Sequence, residues 1–314
     1  MKRKHLLIGS LCLIFSLLVV SVGSATSLVA NQEGVTILPN APDYYWWYGC
    51  SPTSAGMMMG YYDINGYNGL RYDNLVPGVD AELSTYGLPG AAANQMIASD
   101  GHVADFYTGY GNSGDDPNPG TTREFDSLAD FMGTSQDSVG NSDGGTTFWY
   151  YTNGSRLYAY ELEGFGLQDQ SGMYGLWEYL VYAGYGAGNI TEQNIYNQYI
   201  DTLGLADGFT WNDYMAEIDA GRVVMIHVQG HSMFGYGYDA QTQEILLHDT
   251  WNAGEHRMLW GGSYPYGEQG LDFYAVTVFV PTGGTNPIPE PGTLLLLGFG
   301  LLGLFPVARK RIRK

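Results

Sequence analysis

Lysine is missing from residues 26–285, and the same stretch carries only five arginines (Arg71, Arg123, Arg156, Arg222, Arg257) against 31 acidic side chains, a balance of −26. Such a surface repels phosphate backbones and gains nothing from counterion release, which excludes nucleic acid as a natural partner. Cysteine is as scarce. The 314-residue chain has two, Cys12 and Cys50. Cys12 lies in an apolar leader, so the processed chain keeps one thiol and no internal disulfide. One cysteine and scattered histidines give no ligand spacing for zinc, and Asp63-Ile64-Asn65-Gly66 lacks the spacing of an EF-hand. Neither a metal nor a cofactor is expected.

Long apolar runs stand only at the two ends. Met1-Lys2-Arg3-Lys4-His5 precedes an apolar stretch over 6–22, and Gly23-Ser24-Ala25 offers small residues for cleavage. That order of basic, apolar and small residues predicts an export signal over 1–25. At the other end Pro289-Glu290-Pro291-Gly292 precedes an apolar run over 294–308, and Arg309-Lys310-Arg311 opens a basic tail. A run of about 15 residues sits at the short edge of what can span a bilayer, and the basic tail would stay on the cytoplasmic side.

The segment 289–314 resembles the Pro-Glu-Pro C-terminal (PEP-CTERM) sorting signal handled by exosortase-type enzymes in Gram-negative bacteria that make exopolysaccharide. The resemblance implies export across the inner membrane and transient anchoring through a single-pass helix over 294–308. It further implies cleavage near the motif and delivery to the cell surface or extracellular matrix. Residues 282–288 read as a linker.

Between the ends, 35–281 is long enough for one domain with a full core. Residues 31–45 read as an extended leader. Ser51 is a plausible N-cap, Pro52 suits a first turn, and Ala55, Met58, Met59 and Tyr62 follow at helical spacing. Residues 103–147 are rich in Gly, Asp, Asn, Ser and Thr and read as a loop-rich insertion with a short helix over 125–132, near a substrate groove. Helices are predicted over 174–183, 190–203 and 211–220, the last begun by Thr210 or Asn212 and stopped at Gly221. After Gly221 the period shortens, giving strands over 222–228, 233–239, 244–248 and 273–280. Helices first and an antiparallel sheet after make an α+β domain. Tyr61-Tyr62, Trp46-Trp47 and Tyr150-Tyr151 read as core or groove walls.

Cys50 lies in Trp47-Tyr48-Gly49-Cys50-Ser51-Pro52-Thr53, at the mouth of the first helix. A helix N-terminus and a nearby imidazolium both lower a thiol's pKa and favour the nucleophilic thiolate. Gly230-His231-Ser232-Met233 and His248-Asp249-Thr250-Trp251 supply the rest. A hairpin would set Asp249 beside His231, where its carboxylate can hold one ring nitrogen while Trp251 covers the pair. His227 and His248 remain open as alternative bases, whereas His102 and His256 read as surface residues.

Here the chain resembles the papain-like cysteine peptidases, and among them the bacteriocin-leader-processing branch. The resemblance is carried by Gly49-Cys50-Ser51-Pro52-Thr53, by Gly230-His231-Ser232-Met233 with Gly235-Tyr236-Gly237-Tyr238-Asp239, and by Asp249-Thr250-Trp251. It implies a papain-like fold with Cys50 as nucleophile, His231 as general base and acid, and Asp249 as orienter. The family usually places a glutamine about six residues before the cysteine as an oxyanion donor, and this chain has Tyr44 there. The Cys50 N–H remains as one donor, with a Tyr hydroxyl or a Trp indole open as the second. The implied activity is hydrolysis of a peptide bond in a peptide or protein substrate. The alternative is a catalytically idle papain-like domain that binds the exopolysaccharide matrix or the cell surface.

Overall fold

The computed structural model describes residues 33–105, 126–136, 139–141, 144–186 and 191–281. The export signal expected over 1–25, the linker 282–288 and the sorting segment 289–314 with its span 294–308 lie outside the described residues. Among the described residues no helix is long and apolar enough to cross a membrane.

The first helix, α1 (Cys50–Asn65), begins on the cysteine itself, with Gly49 as its N-cap. Thr53 ties down this start. Its hydroxyl donates to the Gly49 carbonyl at 2.6 Å and accepts the Trp47 N–H at 3.0 Å. Gly49 must be glycine, since a Cβ there would come within 2.8 Å of both Pro52 Cγ and Thr134 Cγ2. The helix is buried from Ser51 to Asp63, as expected of a helix apolar on nearly all sides. Around it lie α2 (Ala92–Ile97), α3 (Asp100–Asp105) and α4 (Leu128–Phe131), followed by α5 (Ala159–Phe165), α6 (Gly172–Tyr182) and α7 (Trp211–Asp219). The start of α7 is a reciprocal cap, with Thr210 Oγ1 accepting from the Asp213 N–H and the Asp213 carboxylate accepting from the Thr210 N–H.

One antiparallel sheet supports the helices. Its strand order is β2 (Leu157–Tyr158), β3 (Ile195–Tyr199), β9 (Leu271–Phe279), β4 (Val224–Val228), β5 (His231–Asp239), β6 (Glu244–His248) and β7 (His256–Leu259). In addition β1 (Val35–Ile37) pairs with β5, and β8 (Ser263–Tyr264) with β9. Met233 on β5 accepts a hydrogen bond from Ser54 on α1 through its carbonyl, at 2.6 Å, which docks the helix on the sheet. The α+β class, the helix after Cys50 and the C-terminal sheet agree with the sequence pattern, and the layout fits a papain-like fold.

Two expectations are overturned. The helix expected over 190–203 is the strand β3, flanked by single 3₁₀ turns. Ile195, Tyr196 and Tyr199 suit a pleated surface, and β3 is hydrogen-bonded on both sides, by β2 and β9. His102 is not on the surface. It is 1% exposed, and its Nδ1 lies 2.8 Å from the Asp130 carboxylate, joining α3 to α4.

Candidate active site

A cavity of about 620 Å³ opens where the start of α1 meets the start of β5. Cys50 and Ser51 line it from the helix, and Gly230, His231 and Ser232 from the sheet. Trp251 and Tyr274 contribute side walls, and Gly144, Gly145 and Thr146 close it from the loop-rich stretch. That last wall is pinned by Thr134 to Thr146, hydroxyl to hydroxyl at 2.8 Å, and by the Gly144 N–H donating to Ser135 Oγ at 2.8 Å. Residues 144–146 thus form one wall of the cavity.

Cys50 is half-buried. Burial raises its thiol above the ordinary pKa, with only partial relief from the backbone N–H groups of Ser232 and of the helix start. Desolvation thus outweighs the helix N-terminus, and the resting side chain is a thiol. Among the described residues no hydrogen bond links this sulfur directly to the His231 ring. Unliganded catalytic pairs are often loose in this way.

His231 is buried and its ring stacks on Trp251 with centroids 3.6 Å apart. Burial lowers its pKa to about 4, against the pull of Asp249. Its Nε2 meets the main-chain carbonyl of Asp249 at 2.7 Å. A carbonyl only accepts, so Nε2 carries the proton and Nδ1 is the lone-pair nitrogen of the neutral ring.

The Asp249 carboxylate goes elsewhere, contrary to the expected side-chain pairing. Oδ1 accepts from the Trp251 and Asn252 N–H groups at 2.8 Å each, and Oδ2 from Asn252 Nδ2 at 3.1 Å and Tyr264 OH at 2.7 Å. Burial raises this carboxyl, but hydrogen bonds from Asn252, Tyr264 and Trp251 prevail and hold it below its usual pKa. The turn they fold passes through Thr250 at φ 68°. This is a left-handed conformation that a β-branched residue rarely adopts. Thr250 is fully buried, and its carbonyl accepts the Trp46 N–H at 2.6 Å.

The alternative bases are separated by position. His248 lies outside the cavity, stacked 4.4 Å from Tyr236 and bonded through Nδ1 to the Gly254 carbonyl at 3.0 Å. His227 lies behind the cavity wall, bonded to Ser232 and Thr277. Tyr44 is fully buried and donates to the Glu82 carbonyl at 2.8 Å, and the Trp47 indole donates to Ala98 at 3.0 Å. Neither of those two is an oxyanion donor. Trp46 and Tyr45 line the cavity instead. Ser232 and Ser51 were not singled out from the sequence as site residues. Ser232 sits inside the histidine motif, and the Ser51 hydroxyl, read as a cap, bonds Ser232 at 2.9 Å instead. No group of three or more His, Cys, Asp or Glu able to hold a metal occurs among the described residues.

A thiol at the first residue of a buried helix, sharing one cavity with a histidine at the head of a sheet strand, defines a papain-like, thiol-peptidase-like domain. Residues 31–261 match the family described as Peptidase_C39 like family, and the chain belongs to it. Residues 287–314 match the PEP-CTERM protein-sorting motif. The protein is thus an exported peptidase-like protein whose sorting motif implies recognition by an exosortase-type enzyme and delivery to the surface of a Gram-negative cell. No curated protein and no solved structure matches the chain.

Proposed function

We propose that this protein is a cysteine peptidase that hydrolyses a peptide bond through an acyl-enzyme on Cys50. The observation that carries the reading is that Cys50 and His231, 181 positions apart in the chain, line one cavity. In the proposed reaction His231 Nδ1 takes the thiol proton as Sγ attacks the substrate carbonyl carbon. The Cys50 N–H, at the first position of α1, has no partner within the helix and can donate to the developing oxyanion. His231 then protonates the leaving amine, and water cleaves the thioester with the same ring as base. Asp249 acts as orienter through its carbonyl. The cavity walls of Trp46, Phe148, Trp251 and Tyr274 suit an apolar or aromatic substrate side chain.

The test is turnover of a peptide library by the full-length protein, read by mass spectrometry. Cleavage that disappears in both Cys50→Ala and His231→Ala supports the reading; cleavage that persists in Cys50→Ala ends it.

A second reading is favoured by one observation. Burial keeps Cys50 protonated and His231 uncharged, and Tyr44 points away from the cavity. A domain with an idle site would serve as a binding protein for the exopolysaccharide matrix or cell surface. Polysaccharide retention that is equal in wild type and Cys50→Ala, together with no turnover, would select it.

A further inference from the structure

A line of hydrogen bonds crosses the molecule behind the cavity wall. Ser51 Oγ lies 2.9 Å from Ser232 Oγ, and Ser232 Oγ lies 2.9 Å from His227 Nδ1. His227 Nε2 lies 2.8 Å from Thr277 Oγ1, and Thr277 donates to Asn197 Oδ1 at 2.5 Å. Every member is at most 4% exposed. The line starts beside the sulfur, since Ser51 follows Cys50 and both serines line the cavity. It ends on β3, three strands from β5 in the sheet.

The far end sets its direction. Asn197 Nδ2 donates to the Trp149 carbonyl at 3.1 Å, which turns Oδ1 toward Thr277. Thr277 has a single hydroxyl proton and gives it to Asn197, so it accepts from His227 and Nε2 carries the ring proton. A neutral imidazole has one N–H, so Nδ1 accepts, and its donor is Ser232. Ser232 has no second proton, so its bond to Ser51 is donated by Ser51. Each proton therefore points away from Cys50, and Ser51 turns lone pairs, not its hydrogen, toward the sulfur.

We propose that Asn197, Thr277, His227, Ser232 and Ser51 form a polarity-locked line that controls the protonation of Cys50. In the resting direction it favours the thiol, which can donate to Ser51, over the thiolate, which would keep backbone N–H donors such as that of Ser232 but gain no hydrogen bond from the Ser51 hydroxyl. Exchange of the ring proton through water from Nε2 to Nδ1, with Thr277 turning its hydroxyl from Asn197 to Nε2, breaks the Thr277–Asn197 bond, reverses the other three and points the Ser51 proton at the sulfur. No net charge changes in that switch. His227 is a positioning residue here, because it acts on Cys50 only through the two serines.

The buried ring suits the part. Phe148 packs 4.5 Å from it, and desolvation lowers its pKa to about 3, so the neutral form persists across ordinary pH. The other titratable groups around the sulfur and this ring are Tyr45 from the segment before α1, His231 from β5, Tyr274 from β9, Tyr150 from the segment before β2 and Tyr199 from β3. No Asp, Glu, Lys or Arg lines the cavity among the described residues. The proposal concerns the thiol assigned above as nucleophile. Alkylation reads that sulfur without any peptide cleavage, so each idea can fail alone.

The test follows the pH midpoint of iodoacetamide alkylation at Cys50 in the full-length protein, quantified on the Cys50 peptide. Thr277→Val removes the acceptor at Nε2 and drives the ring proton to Nδ1. The midpoint should fall by about one pH unit, the worth of one hydrogen bond to a charged group. Thr277→Ser should leave it in place, and adding Ser51→Ala should abolish the shift. A folded Thr277→Val with an unmoved midpoint, or a shift that survives Ser51→Ala, overturns the proposal. Nitrogen-15 shifts of His227 in the wild-type protein give a reading without mutation. Protonated Nε2 is expected, and protonated Nδ1 overturns it.

Discussion

His231 is held by the main chain of Asp249, not by its side chain: Nε2 lies 2.7 Å from the Asp249 carbonyl, while the carboxylate folds the turn that aims this carbonyl. Tyr264 caps the arrangement by donating to Oδ2 at 2.7 Å. The orienter of the histidine is thus an uncharged dipole, whose direction depends on a turn with a buried threonine at φ 68°.

Replacement of Asp249 should separate the two roles. Asn keeps an oxygen for the Trp251 and Asn252 amides, so Asp249→Asn should retain kcat/KM within about tenfold of wild type. Asp249→Ala abolishes the turn and should lose at least about a hundredfold. In triads where the carboxylate itself grips the histidine, the Asn variant costs about 10⁴. A loss of that size in Asp249→Asn, measured on a cleaved peptide, would contradict carbonyl orientation.

Acid should weaken the fold through its buried imidazoles. Burial holds His227 at about 3 and His231 at about 4, against 6.5 for the free ring. The unfolded chain takes up these protons near pH 6.5 and the folded chain only near the lower values. The stabilisation is therefore complete above 6.5 and is lost as pH falls toward 4. Between pH 6.5 and 5 each ring contributes a loss of about 2 kcal/mol. Urea unfolding at both pH values should give His231→Gln a drop smaller by about that amount. Equal drops in the variant and wild type would refute the assignment.

Gly49→Ala should distort the seat of Cys50. Its Cβ would meet Pro52 and Thr134 at 2.8 Å, an overpacking that costs about 1–3 kcal/mol. The urea midpoint should fall accordingly, and Cys50 alkylation should change in the folded protein, since Cys50 follows directly. An unaltered midpoint would mean that the close approach is relaxed without cost.

Asp130→Ala provides the contrast. Its carboxylate accepts from the Ser127 N–H at 3.1 Å and Ser127 Oγ at 2.5 Å, and its other oxygen lies 2.8 Å from His102 Nδ1. Loss of these buried acceptors should destabilise by about 3 kcal/mol. The alkylation midpoint of Cys50 should stay unchanged, because Asp130 does not line the cavity. A shifted midpoint in the folded variant would reveal coupling between the α3–α4 contact and the site.

Elements with determinants a few residues apart were legible in the chain. The glycine, small hydroxyls and proline around Cys50 specify a helix start, and of the two candidates for the start of α7, Thr210 and Asn212, Thr210 is the cap. Tyr44 at the usual glutamine position was legible too, and its burial against Glu82 agrees with a residue that is no oxyanion donor.

What the sequence by itself determined is the inventory: a cysteine, a histidine and an aspartate in the family's order, and a C-terminal sorting motif. Tertiary structure decided what these groups do to one another. Residues 195–199 became a strand because β2 and β9 supply hydrogen bonds from distant parts of the chain. Asp249 presents its carbonyl to His231 because the turn through Thr250 sets the direction of that bond. The proton direction along the line from Asn197 to Ser51 follows from a carbonyl at Trp149. Local propensity is encoded within a few residues, whereas the direction of a hydrogen bond depends on atoms brought together only when the sheet closes.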